Sequence, residues 1–262
     1  ARAGWKFRRS VGFDVEGQTF SRLMLGHNPF IGGSYMSQAR SRLYQETLNS
    51  AEAVEPIIVA AIKAGARGMM MGVTSDKDQY IIKALQGAVA RTGIAIPTFV
   101  IVPLDFAPFA DRLRAVNCKV CLLHGQVTDA LYVKAQNTMK PEFAEFAKRC
   151  RELGFIPGMS THNTGETIPA AEPFDIAVIN TPVNKLAWRM CPCEEQVLGA
   201  LRRTKKKVVG MKPLAMGRLA PQEGMDYVCR LPDLDGIVVG IGHPYEIDET
   251  FGIARRIWQP PA

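Results

Sequence analysis

Several things are scarce in this sequence, and each scarcity narrows the reading. No stretch reaches the roughly 18 continuous apolar residues of a membrane span, and no charged-then-apolar leader opens at Ala1. The expected compartment is therefore the cytoplasm, with no membrane partner. The start at Ala1 reads as a processed or trimmed end, and residues 1–4 carry no fold argument. No low-complexity run or linker cuts the chain, so 1–262 is expected to form a single domain. At 47% apolar it has the material for a sizeable core. Aromatics make up only 8% and do not interleave with the basic residues, which argues against a nucleic-acid platform. Acid is in deficit, at a net charge of +7. The one dense basic run, Arg202-Arg203 to Lys205-Lys206-Lys207, sits where a helix end accepts cations. A small anionic substrate fits that charge better than DNA does.

Six cysteines are present, which in an intracellular α/β protein do not form a disulfide framework. Cys118-Lys119-Val120-Cys121 has C-x-x-C spacing at the entrance of an expected strand. Alternation there sends the two sulfurs to opposite faces, against metal or redox use. Cys191-Pro192-Cys193 reads as a loop.

What is abundant is a repeating pattern. Val208-Val209-Gly210-Met211-Lys212-Pro213 is an apolar run that stops in a turn carrying a charge, the way a parallel barrel strand delivers a side chain to its C-terminal rim. Similar runs are expected as strands at 23–25, 68–73, 97–102, 119–123, 155–159, 176–179, 207–211 and 236–239. Helices are expected between most of them, at about 53–64, 76–91, 107–115, 141–153, 164–171, 193–204 and 246–257. A β-hairpin over 8–20 precedes them, and residues 31–50 read as a polar loop able to cover part of a pocket. Eight apolar strands alternating with helices define an α/β fold, a (β/α)8 TIM barrel with an N-terminal β-hairpin. A doubly wound sheet needs a Gly-rich first turn, and none follows strand one.

The four histidines, His27, His124, His162 and His243, all fall just after expected strands one, four, five and eight. Asp105 follows strand three and Lys212 strand seven. His124, His162, Lys212 and Asp105 are the candidate catalytic groups. His27, Asn28, Asn163, Asn180, His243 and Gly242 are candidate substrate-binding residues. The Gly242-His243 turn precedes a helix, where backbone N–H groups bind phosphate. Imidazoles titrate near neutral pH and also ligate Zn or Fe, so the four histidines are equally a candidate divalent-metal set. The plain alternatives are a turn cap at His27 and a Lys212–Asp105 ion pair. Trp188, beside Arg189 and Met190, reads either as a contact surface of a homo-oligomer or as a helix start.

Arg8-Arg9-Ser10-Val11-Gly12 through Phe20-Ser21-Arg22-Leu23-Met24-Leu25-Gly26 resembles the opening of the aldo-keto reductase superfamily. Glu194-Glu195-Gln196-Val197-Leu198 and Lys212-Pro213-Leu214-Ala215-Met216-Gly217 are similar to its sixth helix and seventh strand. Gly158-Met159-Ser160-Thr161-His162-Asn163 resembles the end of its fifth strand, and Gly236–Gly240 with Glu246, Asp248 and Glu249 its last strand and cofactor-side helix. The resemblance implies a barrel and NADP-dependent carbonyl reduction by an Asp, a Tyr, a Lys and a His. Of these the His corresponds to His124. Where the pattern has Asp and Tyr the chain reads Met69-Met70-Met71-Gly72-Val73-Thr74, and where it has Lys the chain reads Val102-Pro103-Leu104-Asp105. The chain thus resembles a divergent member with most of the tetrad replaced. The leading expectation is a lyase, isomerase or hydrolase working by histidine acid/base or metal-assisted chemistry. The second is an NAD(P)-dependent oxidoreductase with a remodelled proton donor. The third is a non-catalytic binding barrel in which Met69–Met71 fill the site.

Overall fold

The computed structural model describes residues 12–73, 75 and 78–258. Arg8–Val11 of the expected hairpin, and Thr74 and Asp76 beyond strand two, lie outside the described residues. Strands β1 (Gly12–Val15) and β2 (Gln18–Ser21) pair antiparallel as the hairpin. Eight parallel strands then close on themselves: β3 (Leu23–Gly26), β4 (Met69–Gly72), β5 (Thr98–Val102), β6 (Cys118–Leu123), β9 (Ile156–Ser160), β10 (Val178–Pro182), β11 (Lys207–Met211) and β12 (Gly236–Gly240). The chain is a (β/α)8 barrel with an N-terminal hairpin. A small antiparallel pair, β7 (Tyr132–Val133) and β8 (Thr138–Met139), interrupts the connection from β6 to β9.

The alternation of the strands divides the core into two layers. Met70, Phe99, Val120, Leu122, Val178, Val209 and Val238 point into the barrel. Met69, Met71, Val100, Cys121, Ile179 and Ile237 point out against the helices. Phe13 and Phe20 of the hairpin join the inner layer, Phe20 meeting Phe99 edge-on at 4.9 Å. The hairpin therefore plugs the N-terminal mouth. Gly236 makes that fit possible, since a Cβ there would stand 3.0 Å from the Phe13 ring.

The helices are α1 (Gln38–Thr47), α2 (Ala51–Lys63), α3 (Gln79–Thr92), α4 (Ala110–Ala115), α5 (Gly125–Leu131), α6 (Pro141–Glu152), α7 (Thr164–Ala171), α8 (Glu194–Arg203), α9 (Pro221–Cys229) and α10 (Tyr245–Trp258). Two differ from expectation. The stretch read as a polar loop contains α1, which starts at Ser37, whose side chain accepts the Arg40 N–H. The segment between β11 and β12 contains α9, opened by Pro221 at its first position and packed through Met225, Val228 and Cys229.

The C-x-x-C reading is also corrected. The register shifts between Thr98 and Phe99, which pair with Cys118 and Val120, so Lys119 is an extra residue on β6. This bulge reverses the alternation and brings the Cys118 and Cys121 sulfurs to 3.9 Å on one face. Both are buried, and burial raises the thiol pKa of Cys118 well above its usual value. No helix among the described residues is long and apolar enough to cross a membrane.

Candidate active site

A cavity of about 290 Å³ opens at the C-terminal rim, between the ends of β3, β11 and β12 and the segment from Gly33 to Tyr44. Its floor lies inside the barrel, where Met70, Ile101, Asn180, Met211 and Val238 contribute side chains. Met70 forms part of this floor, and the methionine run does not fill the space. The outer end is polar, with Glu246, Glu249 and Thr250 at the start of α10.

The segment 33–47 is a lid over the cavity. Helix α1 has no buried residue, so no apolar stripe anchors it as a core helix is anchored. Polar links and two close approaches seat it instead. The Arg40 guanidinium donates to Tyr44 at 3.1 Å and to Glu246 at 3.3 Å. Met36 packs on Gly217, which has φ +85° and where a Cβ would lie 2.8 Å from the Met36 sulfur. Tyr44 packs on Gly242, where a Cβ would lie 2.5 Å from the ring.

On the floor, Asn180 is fully buried. Its amide nitrogen donates to Ser160 Oγ at 3.3 Å and to the Met211 sulfur at 3.5 Å. Its Oδ1 has no hydrogen-bond partner among the described residues. A buried, unpaired carbonyl oxygen is costly.

Lys212 follows β11 with φ +60°, a left-handed conformation that is strained for a side-chain-bearing residue. It is half-buried and lines the cavity. Burial pushes its ammonium below the usual lysine range, Tyr35 partly opposes this, and Arg189 adds to it. Nζ donates to the Tyr35 hydroxyl at 3.3 Å and stands 4.4 Å from the centre of that ring. Asp105, offered as an alternative partner, is exposed and off the cavity lining, and Lys212 contacts Tyr35 instead.

The histidines are spread around the rim. His27, on β3, is buried, and its Nε2 accepts the Gly72 N–H at 3.2 Å. Burial lowers its pKa to about 4, with a hydrogen bond to the Met70 backbone opposing. His162, across the barrel on β9, is pushed down first by burial and then by Lys212, while Asp129 raises it. Its Nδ1 is 3.9 Å from Asp129 Oδ2. Asp129 in turn accepts the backbone N–H of His162 and the Thr161 hydroxyl, which fixes that loop. Gly125 leaves room for the imidazole, since a Cβ there would sit 3.0 Å from it. His124 is exposed, caps α5 by accepting the Gln126 N–H, and lies near enough for its charge to act on His162. His243 is exposed and stacks on Tyr245 at 4.3 Å.

Among the described residues no three His, Cys, Asp or Glu side chains are grouped to hold a metal ion. The set His27, His124, His162 and His243 is thus corrected: the residues leave the barrel as two neighbouring pairs on opposite sides, His243 and His27 after β12 and β3, His124 and His162 after β6 and β9. The expected backbone cradle at Gly242 is also altered. Its N–H donates to Glu246 Oε2 at 2.8 Å and is not free for a phosphate. His27, Asn28, Asn180 and Lys212 line the cavity; Asp105, His124, His162, Asn163, Gly242 and His243 do not. Asn163 binds Glu166 at 2.8 Å.

Tyr35, Arg40, Tyr44 and Trp188 belong to the site and are not marked for it by the sequence, whereas Glu246 is named there on the cofactor-side helix of the resemblance. Trp188, read as a contact surface or a helix start, meets Tyr35 edge-on at 5.5 Å and lines the cavity. The paired helix caps Ser37 and Ser50 were the available signal for the lid.

No protein-family model and no curated protein sequence matches the chain. Solved structures do. One from Pseudomonas aeruginosa, provisionally described as an aldo-keto reductase, superposes with a TM-score of 0.68 at 16% identity, over 97% of each chain. Another, provisionally described as a 2,5-diketo-D-gluconic acid reductase B, superposes with a TM-score of 0.63 at 18% identity, over 94% of this chain and 87% of that one. The chain has the fold of these structures.

Proposed function

We propose that this chain is a nicotinamide-nucleotide-dependent oxidoreductase related to the aldo-keto reductases, acting on the carbonyl group of a small polar substrate. The observation that carries the reading is the unpaired Asn180 Oδ1, buried beside Ser160 on the floor of a rim cavity in a barrel of this type. A carboxamide supplies the N–H that this oxygen lacks. The nicotinamide ring edge fits there, with Met70, Met211 and Val238 as apolar surroundings. Glu249 and Thr250 stand at the outer end for the adenosine half, and the lid residues Arg40 and Tyr44 cover the path between. When bound, the nucleotide supplies or accepts hydride.

The phenol and lysine of the resemblance are replaced by Met69–Thr74 and by Val102–Asp105, so the proton comes from elsewhere. His162, whose Nδ1 lies 3.9 Å from Asp129 and which Lys212 and His124 influence electrostatically, is the group proposed to relay it. Asp105 has no part. The lyase, isomerase or hydrolase reading loses its main support, because the four imidazoles do not gather and the similar structures carry reductase names.

Fluorescence titration with NADH and NADPH tests the proposal. Saturable binding of at least one is expected. Asn180→Leu should weaken it about tenfold, the worth of one buried hydrogen bond, with little change in Tm. Failure of both nucleotides to bind removes the reading.

A further inference from the structure

Several cations on this molecule pair with acids, while others meet backbone carbonyls. Lys134 meets Glu166 at 2.9 Å, Lys185 meets Glu223 at 2.6 Å, and Arg151 meets both Glu16 and Asp175. Two cations beside the cavity do not. Among the described residues neither Lys212 nor Arg189 is paired with a carboxylate. Both face one aromatic ring instead, Lys212 at 4.4 Å and Arg189 at 5.6 Å from the centre of Tyr35. Arg189 also lies 5.3 Å from the Trp188 ring. An aromatic face is a weak substitute for an anion, worth less than a charge-assisted pair in the same setting.

The backbone is strained to hold these groups here. Among the described residues, five of the eight non-glycine residues with left-handed φ belong to the two loops that form this corner: Ala187, Arg189, Lys212, Ala215 and Met216. Such strain collects at ligand sites. The corner also lies on the β9 side, where both cations act on His162, away from the acidic end of the cavity at Glu246 and Glu249.

We infer that Lys212 and Arg189, walled by Tyr35 and Trp188, bind a carboxylate carried by the substrate, so that the substrate class is an oxo acid or its hydroxy-acid counterpart. The inference rests on the oxidoreductase reading for the fate of the carbonyl, but not for the anion site itself. A guanidinium grips a carboxylate through two parallel hydrogen bonds, and the ammonium adds a point charge from the second side. The net charge of +7 favours the approach of such a substrate. With its carboxylate held at the rim, the remainder of the molecule extends past Met211 toward Asn180. The nucleotide's pyrophosphate is the rival anion, and the test separates the two.

Calorimetric titration of the full chain with benzoylformate and with its methyl ester, with and without NADH or NADPH, measures the effect. The acid should bind at least about tenfold more tightly than the ester. Lys212→Gln and Arg189→Gln should each erode that preference, and Lys212→Arg should keep most of it, with circular dichroism verifying that each variant is folded. Equal binding of acid and ester, binding of neither, or a preference untouched in Lys212→Gln overturns the inference. So does a Lys212→Gln variant that loses nucleotide affinity while its acid preference stays intact. A protein that ignores both nucleotides yet prefers the acid keeps this site and loses the oxidoreductase reading.

Discussion

At the scale of the residue, His27 is the simplest case to work through. Its ring is buried between β3 and β4, accepts the Gly72 N–H, and has its pKa lowered from 6.5 to about 4 by burial. Above pH 6.5 the folded and unfolded chains both hold it neutral. Between 6.5 and about 4 only the unfolded chain takes up a proton. Stability therefore falls as pH drops through that window, by roughly 3 kcal/mol, and this loss levels off below it. His27→Gln keeps an acceptor for Gly72 and removes the titration. Urea midpoints at pH 7 and 4.5 should differ less in this variant than in the parent; an equal difference would mean that another group sets the acid limit. The same geometry explains why a histidine legible in the sequence as a rim group acts as a clasp between strands: what its Nε2 meets depends on a residue 45 positions away.

At the scale of the element, the strands and the covering role of 31–50 are legible in the sequence, and the helix within that segment is not. All eight barrel strands lie where apolar runs end in turns, because a strand buried on both faces must be apolar throughout. Helix α1 buries nothing and so carries no apolar period to read. Helix α9 has a readable start at Pro221 and a spaced apolar face, but the two strands flanking it follow one another closely enough that the sequence reads as strand then strand. The bulge at Lys119 leaves no trace in composition, since it is a property of pairing with β5. For the site, candidates at strand ends such as Asn180 and Lys212 were within reach. Tyr35, Trp188 and Arg40 lie on connections whose course is set by contacts distant in sequence, and these could not be found. The lid makes its own prediction. Gly217→Ala places a methyl against Met36 at a left-handed φ, which should cost at least about 1 kcal/mol. It should also speed amide hydrogen exchange across 38–47 relative to the parent. Unchanged exchange there would show that the lid is seated by Arg40 and Tyr44 alone.

At the scale of the whole molecule, the barrel separates its tasks by end. The hairpin closes the N-terminal mouth with Phe13 and Phe20, and the cavity occupies the other. Phe20→Ala should cost about 3–5 kcal/mol of stability and lower Tm by roughly 10 °C. Ligand affinities measured well below that temperature should be unchanged. A variant that loses affinity together with Tm would indicate that the plug supports the rim through the barrel interior. Tyr35 links the two remaining parts, because it rides on the lid while its ring faces Lys212 and Arg189 of the barrel loops. Among the described residues, lifting the lid withdraws the one electron-rich ring those two cations share and leaves them repelling one another. A visiting carboxylate takes over that role, so an occupied mouth tolerates an open door better than a vacant one, and release and entry are thermodynamically linked through a single phenol ring.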